Sequence, residues 1–369
     1  MKKIYFGGPS ITSKEKKYVL NSVTHGFYGG FKKDLIILEN KLKKLLDIKY
    51  VHLTFTCTHS MHLALLSCGI KKGDEVILPD ISWVASAQAI SYTGATCVMV
   101  DIDPNTLCID PKKILSAISK KTKAVMVVHA FGHPCDMTEI LKICRNNNLF
   151  LIEDAAPSLG SHINGKMTGT FGDVGCFSFQ GSKIATSNEG GAFVTNSKKK
   201  FNFAKLFSIL GRTDRKGAFW SDHIAFRYGM SNLNASLGSA QVERIKNLIM
   251  IKRNIAHAYF NYFKNNKLIK FIKEPAYGFS NYSYPNIIIN KGSKALRNNL
   301  IKFLEKKKIY TRAMFPPISD MPMFKKRFLN LNSRIASDNG ITLPSPPCMT
   351  KSQIQRVCSE VVSFLRSHL

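Results

Sequence analysis

An α/β fold, with a mostly parallel sheet covered by helices on both faces, is what the sequence predicts for most of this chain. Short apolar runs recur through its first half, in DEVILPD, ATCVMVDID, KAVMVVHAFG, LFLIEDAA, DVGCFSFQ and GGAFVTN. The segments between the first four, WVASAQAI, DPKKILSAI and DMTEILKICRN, carry helical character. Strands alternating with helices are the signature of a parallel sheet with helical layers. Beyond about residue 230 the pattern changes to longer helices, which marks a second, smaller α/β unit.

In chain order, the first 45 or so residues read as a polar lead-in with a glycine-rich turn, THGFYGGF, followed by a helix in LIILENKLKKLLDI. MHLALLSCG is a short apolar helix closed by Gly69. After the strand series comes one long helix, NASLGSAQVERIKNLIMIKRNIAHAYFNYF. A strand in SYPNIIIN, a helix in ALRNNLIKFLEKKKI and a last helix from KSQIQRVCSEVVSFL complete the chain. The expected division is 1–240 for the large domain and 241–369 for a bridging helix with the small C-terminal domain.

With 369 residues and 44% apolar composition, the chain can bury a sizeable core. No run is long and apolar enough to cross a bilayer, and MKKIYFGGPSIT lacks the apolar core of a signal peptide, so a cytoplasmic location is expected. The nine cysteines are irregularly spaced with no CxxC pair, which predicts no metal site and mostly reduced core thiols. The formal charge of +29 raises nucleic-acid binding. Its lysines are dispersed in short clusters such as KKTK and NSKKKF without a nucleic-acid signature, so a solvated basic surface is the preferred reading. Such a field would still steer a phosphorylated substrate.

Catalytic groups of open α/β sheets gather at the carboxyl ends of strands. LIEDAA places Glu153 and Asp154 at such an end, where an aspartate alone would read as a helix cap. Lys183 changes that weight. It is the only lysine between Lys166 and Lys198, in a stretch otherwise apolar or small, and follows the strand containing Ser178. An inward lysine amine can take up an aldehyde, and pyridoxal 5'-phosphate needs that lysine together with an acid for its ring nitrogen. Thr58, His59 and Ser60 open a helix, whose free N–H groups favour an anion. Trp83 reads equally as a ring-stacking residue or a core aromatic, and the Ser178 hydroxyl is a further phosphate donor.

These segments, with THGFYGG and Glu39, GATCVMVDIDPNTLCID, VVHAFGHPCDM, the run from LIEDAAPSLGSHINGKMTG to GSKIATSNEGGAFVTN, YGMSNLNASLGSAQVERI, TRAMFPPI and ITLPSPP, make the chain resemble the DegT/DnrJ-type sugar aminotransferases of fold-type I over nearly its whole length. The resemblance implies a large domain with a mostly parallel seven-stranded sheet and a smaller C-terminal α/β domain. It also implies pyridoxal phosphate as cofactor, a homodimer with shared active sites, and transfer of an amino group, most often from glutamate, to a keto sugar of a nucleotide-diphosphate sugar. The products of such reactions feed lipopolysaccharide, O-antigen or related amino-sugar pathways. By position, Lys183 resembles the cofactor-linking lysine, Asp154 the ring-nitrogen partner, Trp83 the stacking aromatic, Thr58 and His59 the phosphate cradle, and Ser178 the phosphate serine. Arg227 stands where the family has an asparagine that reaches the phosphate across the dimer interface, and could bind that phosphate or a substrate diphosphate. Arg312 is a candidate substrate residue.

The chain departs from the family pattern at Gly229, which replaces an arginine, and at Pro157, Cys57 and Asn188, which replace a glutamine and two glycines. His129, His133, His162 and Lys166 are read as loop residues away from the pocket. Three rivals are weaker. A sugar dehydratase of the same fold carries histidine in place of the lysine; a nicotinamide oxidoreductase would need an early GxGxxG that is absent; and a non-catalytic regulatory or nucleic-acid-binding protein has no use for both Lys183 and Asp154.

Overall fold

Seven strands pair into one large sheet in a computed structural model that describes residues 2–369 apart from 31, 214, 216 and 218. They are β1 (Tyr50–Thr54), β2 (Glu75–Pro79), β3 (Thr96–Val100), β4 (Thr122–Val128) and β5 (Phe150–Asp154) and, after a hairpin of β6 (His162–Ile163) with β7 (Lys166–Met167), β8 (Val174–Ser178) and β9 (Gly191–Thr195). The spatial order is β1-β9-β8-β5-β4-β2-β3. Strands β3, β2, β4, β5 and β8 run parallel, and β9 is antiparallel to both of its neighbours. The expected mostly parallel seven-stranded sheet is therefore present.

Helices α1 (Ser13–His25) and α2 (Lys33–Leu46) precede the sheet; α3 (Cys57–Ser67), α4 (Ala85–Tyr92), α5 (Pro111–Ala117), α6 (Met137–Asn146) and α7 (Lys198–Phe207) accompany its strands. Successive side chains of a strand face opposite ways, and here both faces are buried. Ile77, Val98 and Val125 pack with Ile114 of α5 and Ile140 of α6, whereas Val76, Leu78, Met99 and Met126 pack with Leu63 and Leu65 of α3 and Ile90 of α4. This double coverage explains why the strands read as continuous apolar runs.

Helices α8 (Asn232–Glu243) and α9 (Ile245–Phe263) lead into a four-stranded antiparallel sheet of β10 (Ile269–Phe271), β11 (Asn286–Ile289), β12 (Arg312–Ala313) and β13 (Gly340–Thr342), ordered β10-β11-β13-β12. It is accompanied by α10 (Lys294–Lys306), α11 (Leu331–Asn339) and α12 (Lys351–His368). Tyr259, Phe263, Ile287, Leu300 and Val361 share its core. Ile4 joins that core and bridges to Ile309, so the start of the chain lies against the C-terminal sheet.

Three features differ from the sequence reading. The polar lead-in contains α1, held by a capping box in which Thr12 and Glu15 bond reciprocally; its weak apolar periodicity hid it, although the T-x-x-E spacing was a legible signal. Helix α7, capped by Ser197, was likewise overlooked in a lysine-rich stretch. The expected long helix breaks at Arg244, whose φ of −98° and ψ of 4° leave helical geometry. Its guanidinium bonds Glu15 at 2.5 Å and the Ser10 carbonyl at 2.9 Å, tying the break to the lead-in. The quoted turn THGFYGGF ends in Phe31, outside the described residues; Tyr28–Gly30 within it forms one turn of 3-10 helix.

Candidate active site

Parallel strands present their carboxyl ends along one edge of the sheet, and that edge collects the site. Strand β5 ends at Asp154, β8 ends at Ser178, β1 leads into the amino end of α3, and β2 leads to Trp83. Because β9 runs the opposite way, its first residue, Gly191, reaches the same edge. The C-terminal domain faces this edge with Tyr284, Arg312 and Phe315, and the start of the chain adds Phe6; together these enclose a cavity of about 430 Å³.

Asp154, 4% exposed, forms part of the cavity wall. Its Oδ2 accepts from the Ser86 hydroxyl at 2.6 Å and its Oδ1 from the Ala156 N–H at 3.0 Å. Each oxygen therefore keeps a lone pair for a further donor. The neighbouring Glu153 points out of the opposite face of β5, away from the cavity. Lys183 lies in the turn after β8, where its N–H donates to the Gln180 carbonyl at 2.8 Å and its Nζ sits 5.9 Å from the centre of the Tyr284 ring. The Tyr284 hydroxyl donates to the carbonyl of Ser182, immediately before that lysine, at 2.9 Å.

At the amino end of α3, the Thr56 side chain accepts from the His59 N–H at 3.3 Å, and Thr58 lines the cavity. The Cys57 and Thr58 N–H groups have no partner among the described residues, as the first amides of a helix do not. Cys57 takes up an ordinary helical position, so the glycine of the family is not needed for backbone conformation here. Burial pushes its thiol well above the usual range, with the nearby Asp154 charge adding to the effect and Lys183 opposing it. Asn188 does take the left-handed conformation, at φ 70°, that its residue type tolerates.

Of the predicted site residues, Lys183, Asp154, Thr58, Trp83, Ser178 and Arg312 line one cavity, and His59 and Arg227 do not. The His59 ring instead stacks on Tyr228, 3.9 Å between centroids and 6° apart in plane, with its Nδ1 buried and unpartnered. Burial pushes that imidazole below its usual range. Arg227 is exposed, outside the cavity of its own chain. Trp83 just precedes α4 and is 65% exposed, so it is not a core aromatic. The Arg312 guanidinium lies 4.3 Å from the centre of the Phe6 ring.

His129 and His133 lie, as read, in loop positions flanking the turn Ala130–Gly132 and outside the cavity lining, although both are fully buried. His129 accepts the Cys135 N–H on Nδ1 at 3.1 Å and bonds Glu153 through Nε2 at 2.9 Å, a link within the sheet edge rather than the pocket. His162 stacks on Phe279 and Lys166 is exposed, both outside the cavity. Phe6, Ser86 and Tyr284 were missed. Phe6 and Tyr284 are brought in by chain segments far from the strand edge, and no motif announces them.

The close approach of β9 to α3 rests on Gly191. A side chain there would place Cβ 2.5 Å from the Thr56 carbonyl carbon and 2.6 Å from the Cys57 nitrogen, both backbone atoms. Gly191→Ala is therefore expected to destabilise the protein by about 1–3 kcal/mol and to shift the amino end of α3. A urea midpoint unchanged from wild type would contradict this packing. Among the described residues, no helix is long and apolar enough to cross a membrane, and no cluster of His, Cys, Asp or Glu is arranged to hold a metal ion. All nine cysteines are free, and eight are buried.

The model of the DegT/DnrJ/EryC1/StrS aminotransferase family matches residues 9–362. The GDP-perosamine synthase of Escherichia coli O157:H7 is 38% identical over 368 residues, covering 99% of both chains. Among solved structures, the aminotransferase TlmJ from Streptoalloteichus hindustanus superposes with a TM-score of 0.93 at 25% identity, covering 100% of both chains. Spr1654 from Streptococcus pneumoniae, in its PLP form, also gives 0.93, at 23% identity and 100% coverage of both.

Proposed function

The chain belongs to the DegT/DnrJ/EryC1/StrS aminotransferase family, and on that premise we propose that it transfers an amino group from glutamate to the keto sugar of a nucleoside-diphosphate sugar. The observation that carries the proposal is the convergence of the Lys183 amine, the Asp154 carboxylate, the Ser178 hydroxyl and the amino end of α3 on one cavity. This set fits pyridoxal phosphate: an amine for its aldehyde, an acid with free lone pairs for its ring nitrogen, and unpaired helix amides with hydroxyls for its phosphate. The exposed face of Trp83 offers a wall for the ring.

When bound, that cofactor supplies the electron sink that lets an amino group leave one carbon and join another. The chain supplies the rest. Asp154, held by Ser86 and Ala156, keeps its charge directed into the cavity. The Lys183 amine would accept and return the proton at the reacting carbon of donor or acceptor, the task of a general base and acid. Thr58 and Ser178 would orient the phosphate, and Arg312, which lines the cavity with its guanidinium over Phe6, would offer a cation to an anionic donor or sugar nucleotide. The relative's name points to a GDP-linked amino sugar as the first product to seek. A place in surface-polysaccharide synthesis, in the cytoplasm, follows as part of the same proposal.

A homodimer completes the proposal. Arg227 sits outside its own cavity, in a segment that leaves Phe219 and Ile224 86% and 101% exposed. A second copy covering that segment would bring Arg227 to the partner's site. The division at residue 240 into a cofactor-binding domain and a bridging helix with a small domain is proposed with it.

The test is the visible absorption spectrum of the purified protein supplied with pyridoxal phosphate, before and after glutamate, followed by a panel of keto nucleotide sugars. A band that glutamate converts and a GDP-linked keto sugar restores is expected. No band with cofactor supplied would remove the aminotransferase reading, and elimination of a hydroxyl without amino transfer would favour the dehydratase.

A further inference from the structure

Lys252 of α9 is buried, 6% exposed, and no carboxylate pairs with it among the described residues. Its ammonium donates to the Ser345 carbonyl at 2.8 Å and the Ser345 hydroxyl at 2.7 Å. Burial alone pushes it down to about 7. A neutral glutamine could make polar contacts to Ser345 without the cost of a buried charge, so stapling α9 to that loop does not account for a lysine. The remaining neighbour does: Lys252 Nζ lies 5.6 Å from the centre of the Tyr284 ring, within the reach of a cation–π contact in a desolvated setting.

Tyr284 carries that contact to the cavity. Its ring forms part of the cavity wall and stacks on Phe6 at 5.9 Å, while its hydroxyl donates to the Ser182 carbonyl at 2.9 Å. Ser182 begins no helix or strand; its turn is otherwise held by Gln180, which accepts from the Ser182 N–H through its side chain and from the Lys183 N–H through its carbonyl. We propose that Lys252 is a positioning residue for Lys183: its ammonium braces the Tyr284 ring from inside the protein, and Tyr284 fixes the Ser182–Lys183 turn against the cavity. The consequence for catalysis rests on the aminotransferase reading above, whereas the bracing of the turn does not.

Two readouts separate these levels. In the cofactor-free protein, backbone hydrogen exchange over 180–184 is compared among wild type, Lys252→Met, Lys252→Gln and Lys252→Arg. Met and Gln are expected to raise exchange there up to about thirtyfold, the size of a desolvated cation–π contact, and Arg to restore it. Tyr284→Phe, which keeps the ring and loses the hydroxyl, is expected to loosen the same turn with Lys252 in place. In the loaded protein, Met and Gln are expected to slow conversion of the visible band by glutamate about tenfold, with half-saturating glutamate unchanged and Arg close to wild type. A glutamine variant that matches wild type in exchange overturns the proposal by showing that hydrogen bonding to Ser345 suffices. If the methionine variant fails to fold, the glutamine, arginine and Tyr284→Phe variants still decide the outcome. Should wild type form no band, the cofactor reading fails, and the exchange comparison still decides whether Lys252 braces the turn.

Discussion

Lys183→Ala is expected to lack the visible absorption band that wild type forms with pyridoxal phosphate, and to lose amino transfer by at least about 10³-fold. The size follows from the two tasks that fall on one amine. On the proposed reading it would take up the cofactor's aldehyde and would serve as the base that moves the proton; general acid–base catalysis alone contributes up to about 10⁴-fold. No nearby group is placed to substitute. Lys252 is committed to Ser345 behind the Tyr284 ring, and among the described residues the cavity lining contains no other lysine. Lys183→Arg is expected to be as inactive, because a guanidinium keeps its proton at all working pH values. The amino end of α3 and the Ser178 hydroxyl, proposed to hold the phosphate, are untouched in both variants, so cofactor binding is expected to weaken rather than vanish. Equilibrium dialysis against pyridoxal phosphate would check that half. Turnover of Lys183→Ala within tenfold of wild type would sink the assignment of the base.

What the sequence made legible, and what it concealed, divides along a physical line. Strands β2, β4, β5 and β8 announced themselves because a parallel sheet buried on both faces demands unbroken apolar runs, and their order placed Asp154 and the Lys183 turn on one edge. Lys183 stood out through composition, as a lone lysine in an apolar stretch. Contacts between chain segments left no such trace. Tyr284 and Phe6 reach the cavity because the C-terminal sheet and the start of the chain pair with one another, Ile4 with Ile309, and no local spacing encodes that pairing. Arg244 breaks a helix that its own neighbourhood would continue, drawn by Glu15 and Ser10 from the far end of the chain. His59 resembled a phosphate ligand by position, yet its ring packs on Tyr228, an aromatic more than 160 residues away, and only the structure makes that stack visible.

Glu153→Ala is expected to destabilise the protein by roughly 3–5 kcal/mol, whereas substitution of its neighbour Asp154 is expected to act on activity. The sequence places the two acids side by side in LIEDAA, and the period of a strand sends them to opposite faces. Glu153, fully buried, accepts four hydrogen bonds: from the Phe171 and Gly172 N–H groups at 2.6 Å, the Gly169 N–H at 2.7 Å, and His129 Nε2 at 2.9 Å. It thereby ties the loop before β8 to the end of β4. Truncation would strand three backbone amides and an imidazole in a site closed to water, and each unsatisfied donor carries a desolvation cost of about 1–3 kcal/mol. Glu153→Gln keeps one acceptor oxygen and brings a donor amide against donors, so an intermediate loss of about 1–3 kcal/mol is expected. Urea unfolding of the cofactor-free proteins measures both. Asp154→Asn is expected to show the opposite pattern: a urea midpoint near that of wild type, because an amide can still meet Ser86 and the Ala156 N–H, with a large loss in conversion of the band by glutamate. If Glu153→Ala unfolded like wild type while Asp154→Asn lost several kcal/mol, the division of labour between the two faces of β5 would be reversed.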